Sequence, residues 1–256
     1  MKRWMAGLAV ALTVVASTVA AQSSAELIAQ GDAAYKERRQ KDALDDFIRA
    51  IAADATDYEA LWKASRSEID LAEIAVNRPA LDALLAAGQQ HAEAAVRARP
   101  ADAEGHFALA RAAGRRALSV GVRERIRFSR IIRDAALAAL KIDSTHAGAL
   151  HVLGMWNAEI MRVNGLSRMI ARAFLGAEVF SLASWDEAQR LLEASVQHDP
   201  RRIIHRLDLA GIYADRGDRK RAREVYLWIV SAPLVEPNDD LYKRQAAERL
   251  KRLAGN

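Results

Sequence analysis

A recurring offset constrains this chain more than any other feature. Near the C-terminus, Leu209-Ala210, Tyr213, Gly217, Ala222 and Tyr226 follow one another before Pro233. The order describes one helix, a glycine turn and a second helix whose alanine sits where the two helices touch, with aromatics filling the wedge. Ala188, in the stretch Trp185 to Pro200, lies 34 residues before Ala222. The same order appears at the other end as Gly31, Tyr35, Ala43, Phe47 and Ala50, followed by the turn Ala55-Thr56-Asp57. A helical hairpin of this length cannot bury its apolar face alone, so such units stack.

Between these units, Tyr58–Pro100 and Ala101–Ser144 read as two longer hairpins ending in Ala/Leu-rich helices. Residues 238–253 read as a polar amphipathic helix with Asn238 or Asp239 as N-cap, suited to closing the array. The misfit is residues 164–183, where Leu166, Ile170, Ala173 and Phe174 keep a helical spacing opposite Arg168 and Arg172. This predicts a short amphipathic helix inserted into the fourth hairpin, either plugging the array or forming a lid. Thirteen glycines and five prolines in 256 residues agree with helix throughout. The fold expected is all-α: a tetratricopeptide-like α-solenoid of about five helical hairpins, an inserted amphipathic helix and a C-terminal capping helix.

Lys2 and Arg3 precede an uncharged apolar run and the small-residue stretch Ser17-Thr18-Val19-Ala20-Ala21. That is the arrangement of a secretory signal, with cleavage after Ala20 or Ala21. The expected organisation is a signal at 1–21 and a solenoid domain at 22–256, exported and periplasmic; an uncleaved signal acting as a membrane anchor is the alternative. The absence of cysteine excludes a lipoprotein, disulfides and thiolate chemistry.

Catalytic patterns are missing. No histidine pair has the i, i+4 spacing of a helical metal site, and HExxH, GxSxG, GxxxxGK and GxGxxG are all absent. Neither an enzyme nor a cofactor is expected. A formal charge of +5, falling to +3 without Lys2 and Arg3, gives no case for nucleic acid. The basic stretch Arg123 to Arg130 reads as a solvated outer face, with an acidic lipid or protein contact as the alternative. Asp45-Asp46 and Asp239-Asp240 read as solvated or capping carboxylates, and Trp185 and Trp228 as core.

Beyond generic repeat spacing, several stretches carry a resemblance: Leu61-Trp62, Glu104-Gly105-His106, Ala149-Leu150-His151-Val152-Leu153-Gly154-Met155-Trp156, Ala183-Ser184-Trp185-Asp186-Glu187-Ala188 and Leu207 to Asp218. From about Ala25 to Leu253 the chain resembles the tetratricopeptide domain of the regulator of microtubule dynamics family, whose bacterial relatives include exported proteins. The resemblance implies a non-enzymatic, partner-binding role. The members for which the family is named are intracellular, and an export signal argues against tubulin as the partner.

First helices of tetratricopeptide hairpins line the concave side. The register set by Leu109-Ala110 and Leu153-Gly154 turns Phe107, Arg111 and Arg115 inward from the third hairpin and His151, Met155 and Glu159 from the fourth. The second hairpin adds Trp62 and Arg66. Such a groove suits a protein or peptide with an acidic or carboxylate-bearing segment and apolar anchors. A lipid or other amphipathic small ligand is the alternative. The competing account of the arginines is pairing with neighbouring acids such as Asp70 and Glu104.

Overall fold

The computed structural model describes residues 22–163 and 181–255. The expected signal (1–21) and the expected inserted helix around Leu166–Phe174 lie outside the described residues. Eleven helices and no strand occur among the described residues: α1 (Ser24–Lys36), α2 (Gln40–Ala53), α3 (Tyr58–Glu73), α4 (Arg78–Ala98), α5 (Ala103–Ala117), α6 (Val122–Ile142), α7 (Ala147–Arg162), α8 (Trp185–His198), α9 (Ile203–Asp215), α10 (Arg219–Ser231) and α11 (Asp239–Gly255). The first ten pair as five consecutive hairpins. The first helix of each hairpin also touches the first helix of the next, which makes an inner wall of α1, α3, α5, α7 and α9.

Short polar residues set the helix starts. Ser23 and Glu26 form a reciprocal capping box, and Asp57, Asn77, Asp102, Ser184 and Asp218 each accept a backbone N–H of the first turn. The inter-repeat turns that lack proline use Asp-x-Thr instead. Asp54 Oδ1 accepts from Thr56 N and Oγ1, and Asp143 Oδ1 does the same with Thr145. Gly217 takes φ +83° between α9 and α10, a conformation that favours glycine.

The core is built by alternating small and large side chains between helices. Ala43, Ala188 and Ala222 are fully buried, as are Phe47, Leu192 and Ile229. A Cβ on Gly148 would fall 2.5 Å from Phe107 Cζ, so any larger residue there has to displace the ring carried by α5.

One wall was not expected. The segment before α11 and the start of α11 cross the inner side and reach the first two hairpins. Asn238 Nδ2 donates to the Asp70 carbonyl at 2.9 Å, Gln40 Nε2 donates to Asn238 Oδ1 at 2.8 Å, and Tyr242 Oη donates to Glu73 Oε2 at 2.5 Å. The capping helix therefore closes the superhelix onto its own beginning.

Two sequence expectations need correction. Trp228 is not core: it is 37% exposed, with the Arg206 guanidinium 4.1 Å from its ring centroid. Ala222, Tyr226 and Ile229 form the buried stripe of α10, and Trp228 lies two residues beyond Tyr226, on the opposite face. Asp239 is not solvated. Its buried carboxylate accepts from Val235 N and Glu236 N, both at 2.7 Å, and so fixes the turn leading into α11.

Candidate functional site

Folding of the inner wall encloses a cavity of about 820 Å³, within the range of ligand pockets. It is bounded by α5, α7 and α9, by the C-terminal end of α3, by residues of α6 and α10, and by α11 with its leading turn. A smaller recess of about 100 Å³ shares Phe107, Arg111 and Arg202 with it and runs toward α3. Six of the eight expected groove residues line the large cavity: Phe107, Arg111, Arg115, His151, Met155 and Glu159. Trp62 and Arg66 line the recess. The structure brings all eight to two adjoining spaces that share Phe107, Arg111 and Arg202, and Glu159 is paired with Arg162.

The arginines of the third hairpin are engaged by acids. Arg111 Nη2 lies 2.5 Å from Asp70 Oδ1 and 3.4 Å from Glu73 Oε1, and Arg115 Nη2 lies 2.5 Å from Glu73 Oε1. Tyr35 Oη donates to Asp70 Oδ2 at 2.7 Å. Burial disfavours a charged Arg111, but Asp70 and Glu73 outweigh it and hold the guanidinium above its ordinary pKa. Burial, reinforced by the neighbouring carboxylates, pushes the Tyr35 and Tyr242 phenols well above theirs. Asp70 is one of the acids that the competing account named as a partner for these arginines; Glu73 joins it, while Glu104 sits 3.3 Å from His146 Nε2.

The opposite wall carries a histidine stack. His151 Nε2 lies 2.9 Å from Asp208 Oδ2, and its ring lies 4.6 Å from that of His205 at 24°. Ser195 Oγ donates to the Ala147 carbonyl at 2.8 Å, so the 2.9 Å contact with His205 Nδ1 has the imidazole as donor. Burial, the His151 ring and Arg202 together hold His205 well below its ordinary pKa, which keeps it neutral. Asp208 is held below the usual carboxylate range: burial raises it, but the hydrogen bond from His151 and the charges of His151, Arg249 and Arg115 together outweigh that. Val152, Met155, Ile204 and Leu241 supply apolar wall between these polar groups.

Sequence reasoning missed the contributions of α9 and α11. The register that yields Phe107/Arg111/Arg115, applied to Leu209-Ala210, yields Leu207, Gly211 and Asp215; Gly211 and Asp215 line the cavity, whereas Leu207 is buried in the core. Asp215 binds Arg162 Nη2 at 2.7 Å. Nothing in local spacing points to Glu236 or Tyr242, whose place depends on closure. No cluster of three or more His, Asp or Glu suited to a metal occurs among the described residues, and no helix among them is long and apolar enough to cross a membrane.

Five stacked hairpins with an inner wall of first-helix side chains define a tetratricopeptide-type α-solenoid. Residues 27–254 match the family described as regulator of microtubule dynamics protein 1-3, and the chain belongs to that family. Among solved structures it is similar to TTC0263, a thermophilic tetratricopeptide protein of Thermus thermophilus, with 18% identity, a TM-score of 0.65, and coverage of 89% of this chain and 99% of that one. MamA follows at 14% identity and TM-score 0.44, covering 90% and 94% of the two chains. YrrB, a tetratricopeptide protein with an unusual peptide-binding site, shows 14% identity and TM-score 0.42 over 90% and 92%. At such identities the likeness is one of fold. Comparison with curated proteins returned no significant match.

Proposed function

We propose that this chain is an exported, non-enzymatic binding protein whose inner cavity takes a short segment of a protein or peptide partner. One observation carries the reading: a cavity of about 820 Å³ whose wall alternates apolar side chains with seven arginines and six carboxylates. Because most of those charges already pair with one another, the wall is neither a bare cationic funnel nor an oily tunnel. It suits a segment that offers both an apolar anchor and hydrogen-bonding groups. Export is supported by the Lys2/Arg3 leader and by the position of the Ser23 capping box, which cleavage after Ala20 or Ala21 leaves intact.

A second reading has its own support. Because α11 adds a wall to it, the space is a partly enclosed cavity, which suits a compact amphipathic small molecule. Selection from a peptide display library on the purified mature protein, beside native mass spectrometry of the same sample, separates the two. The leading reading expects selected peptides whose affinity falls at least tenfold on Met155→Trp, which fills the cavity. A copurifying molecule of a few hundred daltons, expelled by the same substitution, would replace it with the second. Peptides indifferent to Met155→Trp would place binding outside the cavity.

A further inference from the structure

The arginines around the cavity are not equivalent. Arg111 and Arg115 pair with Asp70 and Glu73, Arg162 with Asp215, and Arg202 with Glu236. Arg66 has no such partner: among the described residues no carboxylate lies within ion-pair distance of it and no hydrogen bond engages its guanidinium. Its close partners among the described residues are ring faces. The guanidinium carbon lies 3.6 Å from the centroid of Tyr35 and 5.2 Å from that of Trp62. Stacking uses the face of the guanidinium and leaves its donor edge free.

Three donors at this spot are closed off from water without a hydrogen-bond partner: Arg66 Nε–H, the indole Nε1–H of Trp62, and His146 Nε2, the last with Glu104 Oε1 3.3 Å away. Buried N–H groups are almost always paired, and an orphan calls for an explanation such as an absent ion or ligand. Arg66 and Trp62 line the recess of about 100 Å³ together with Glu104, His146, and Arg111 and Arg202, whose charges are already met by Asp70, Glu73 and Glu236. Ile69, Phe107 and Ala108 form the apolar part of the same lining.

We infer that this recess is an anion subsite for a carboxylate on a short alkyl stem, such as an acidic side chain or a chain terminus, held by the free edge of Arg66 beside Trp62. A guanidinium edge matches two carboxylate oxygens, and the apolar lining matches the methylene groups behind them. The inference rests on the cavity reading above and deepens it by naming the group that enters first. It also moves the recognition of acid away from Arg111 and Arg115, whose donors are already engaged.

The probe is sodium propionate, titrated into the ¹⁵N-labelled mature protein at constant ionic strength, with sodium chloride and inorganic phosphate as parallel arms. The indole resonance of Trp62 is identified by its loss in Trp62→Phe. A saturable shift with propionate, weakened at least tenfold in Arg66→Gln and unchanged in Arg123→Gln, is the expected result. An equal response to chloride reduces the effect to screening and overturns the subsite. So does saturation by phosphate alone, which excludes the carboxylate. Unaltered propionate binding in a folded Arg66→Gln protein overturns the role of Arg66. Should Arg66→Gln unfold the chain, propionate affinity of Trp62→Phe, read from backbone amides, decides instead: a value equal to the parent sinks the site. A partner that is lost on Met155→Trp while propionate never binds leaves the cavity reading standing and removes only the subsite.

Discussion

Tyr242 Oη donates to Glu73 Oε2 at 2.5 Å although 169 residues separate the two. In a repeat array each unit ordinarily touches only its neighbours, so stability propagates along a line. Here the last helix grips the second hairpin, and Arg38 in the first turn lies 3.3 Å from Asp240. That closure gives the inner cavity a further wall, from Leu241 to Arg249.

Tyr242→Phe removes this single hydrogen bond and keeps the ring. A hydrogen bond to a charged group is worth about 1.5–3 kcal/mol, and Glu73 retains Arg115, so the lower end is expected. Urea denaturation gives the loss. Amide exchange adds the specific signature: residues 239–255 should exchange faster than α4 does. Uniform acceleration along the chain would mean that α11 does not depend on this contact.

Small residues at helix crossings make the second prediction. Gly148→Ala drives a Cβ to within 2.5 Å of Phe107, and Ala222→Leu forces three carbons into a fully buried position of the fifth hairpin. Overpacking of this kind typically costs about 1–3 kcal/mol. The two should add, since they lie in different hairpins. Gly148→Ala should also push the Phe107 ring and so alter ligand affinity, whereas Ala222→Leu should not. Thermal melts and binding on the same variants check both statements.

The hairpins were legible because small-then-aromatic spacing and Asp or Ser caps are local signals. Ala222, Tyr226 and Gly217 sit where their offsets place them. The inward register of α5 and α7 was legible for the same reason. What stayed hidden depends on long-range geometry. Glu73 lies on a helix whose sequence shows only scattered acids, and it joins Asp70, which the sequence did offer as a partner, in holding Arg111 and Arg115 when α5 packs against α3. Trp228 misled because an aromatic at a repeat position need not face inward: two residues past Tyr226 turns it to the outside.

The third prediction concerns acid. His205 is buried and held well below its ordinary value of 6.5 by burial, His151 and Arg202. Its unfolded form therefore binds a proton first as pH falls. The associated stability is complete above about pH 6.5 and is lost as pH falls below it toward the folded value. His205→Gln should flatten stability between pH 7 and 5 while lowering it at neutral pH, because the bond to Ser195 is disturbed. Denaturation midpoints across that interval test the point. An unchanged slope would show that another group titrates.

The last prediction separates the arginines that hold the fold from the one assigned to ligand. Arg111 lies between Asp70 and Glu73, whose side chains are only 7% and 5% exposed, and Tyr35, Tyr242 and Asn238 converge on the same two carboxylates. Removing Arg111 leaves the buried Asp70 without its counterion, while Glu73 keeps Arg115. Breaking a buried pair in this way costs about 3–5 kcal/mol. Arg66→Gln removes no ion pair and forfeits only its stacking, about 0.5–2 kcal/mol. Arg111→Gln should therefore unfold at clearly lower denaturant than Arg66→Gln, and reversal to Glu should be worse still because a third acid joins the pair. Ligand binding should show the opposite order at denaturant-free conditions: Arg66→Gln weak, and Arg111→Gln closer to the parent in whatever fraction remains folded. If Arg66→Gln proves the more destabilising of the two, its guanidinium belongs to the framework, and the cavity must recognise its partner elsewhere along the wall.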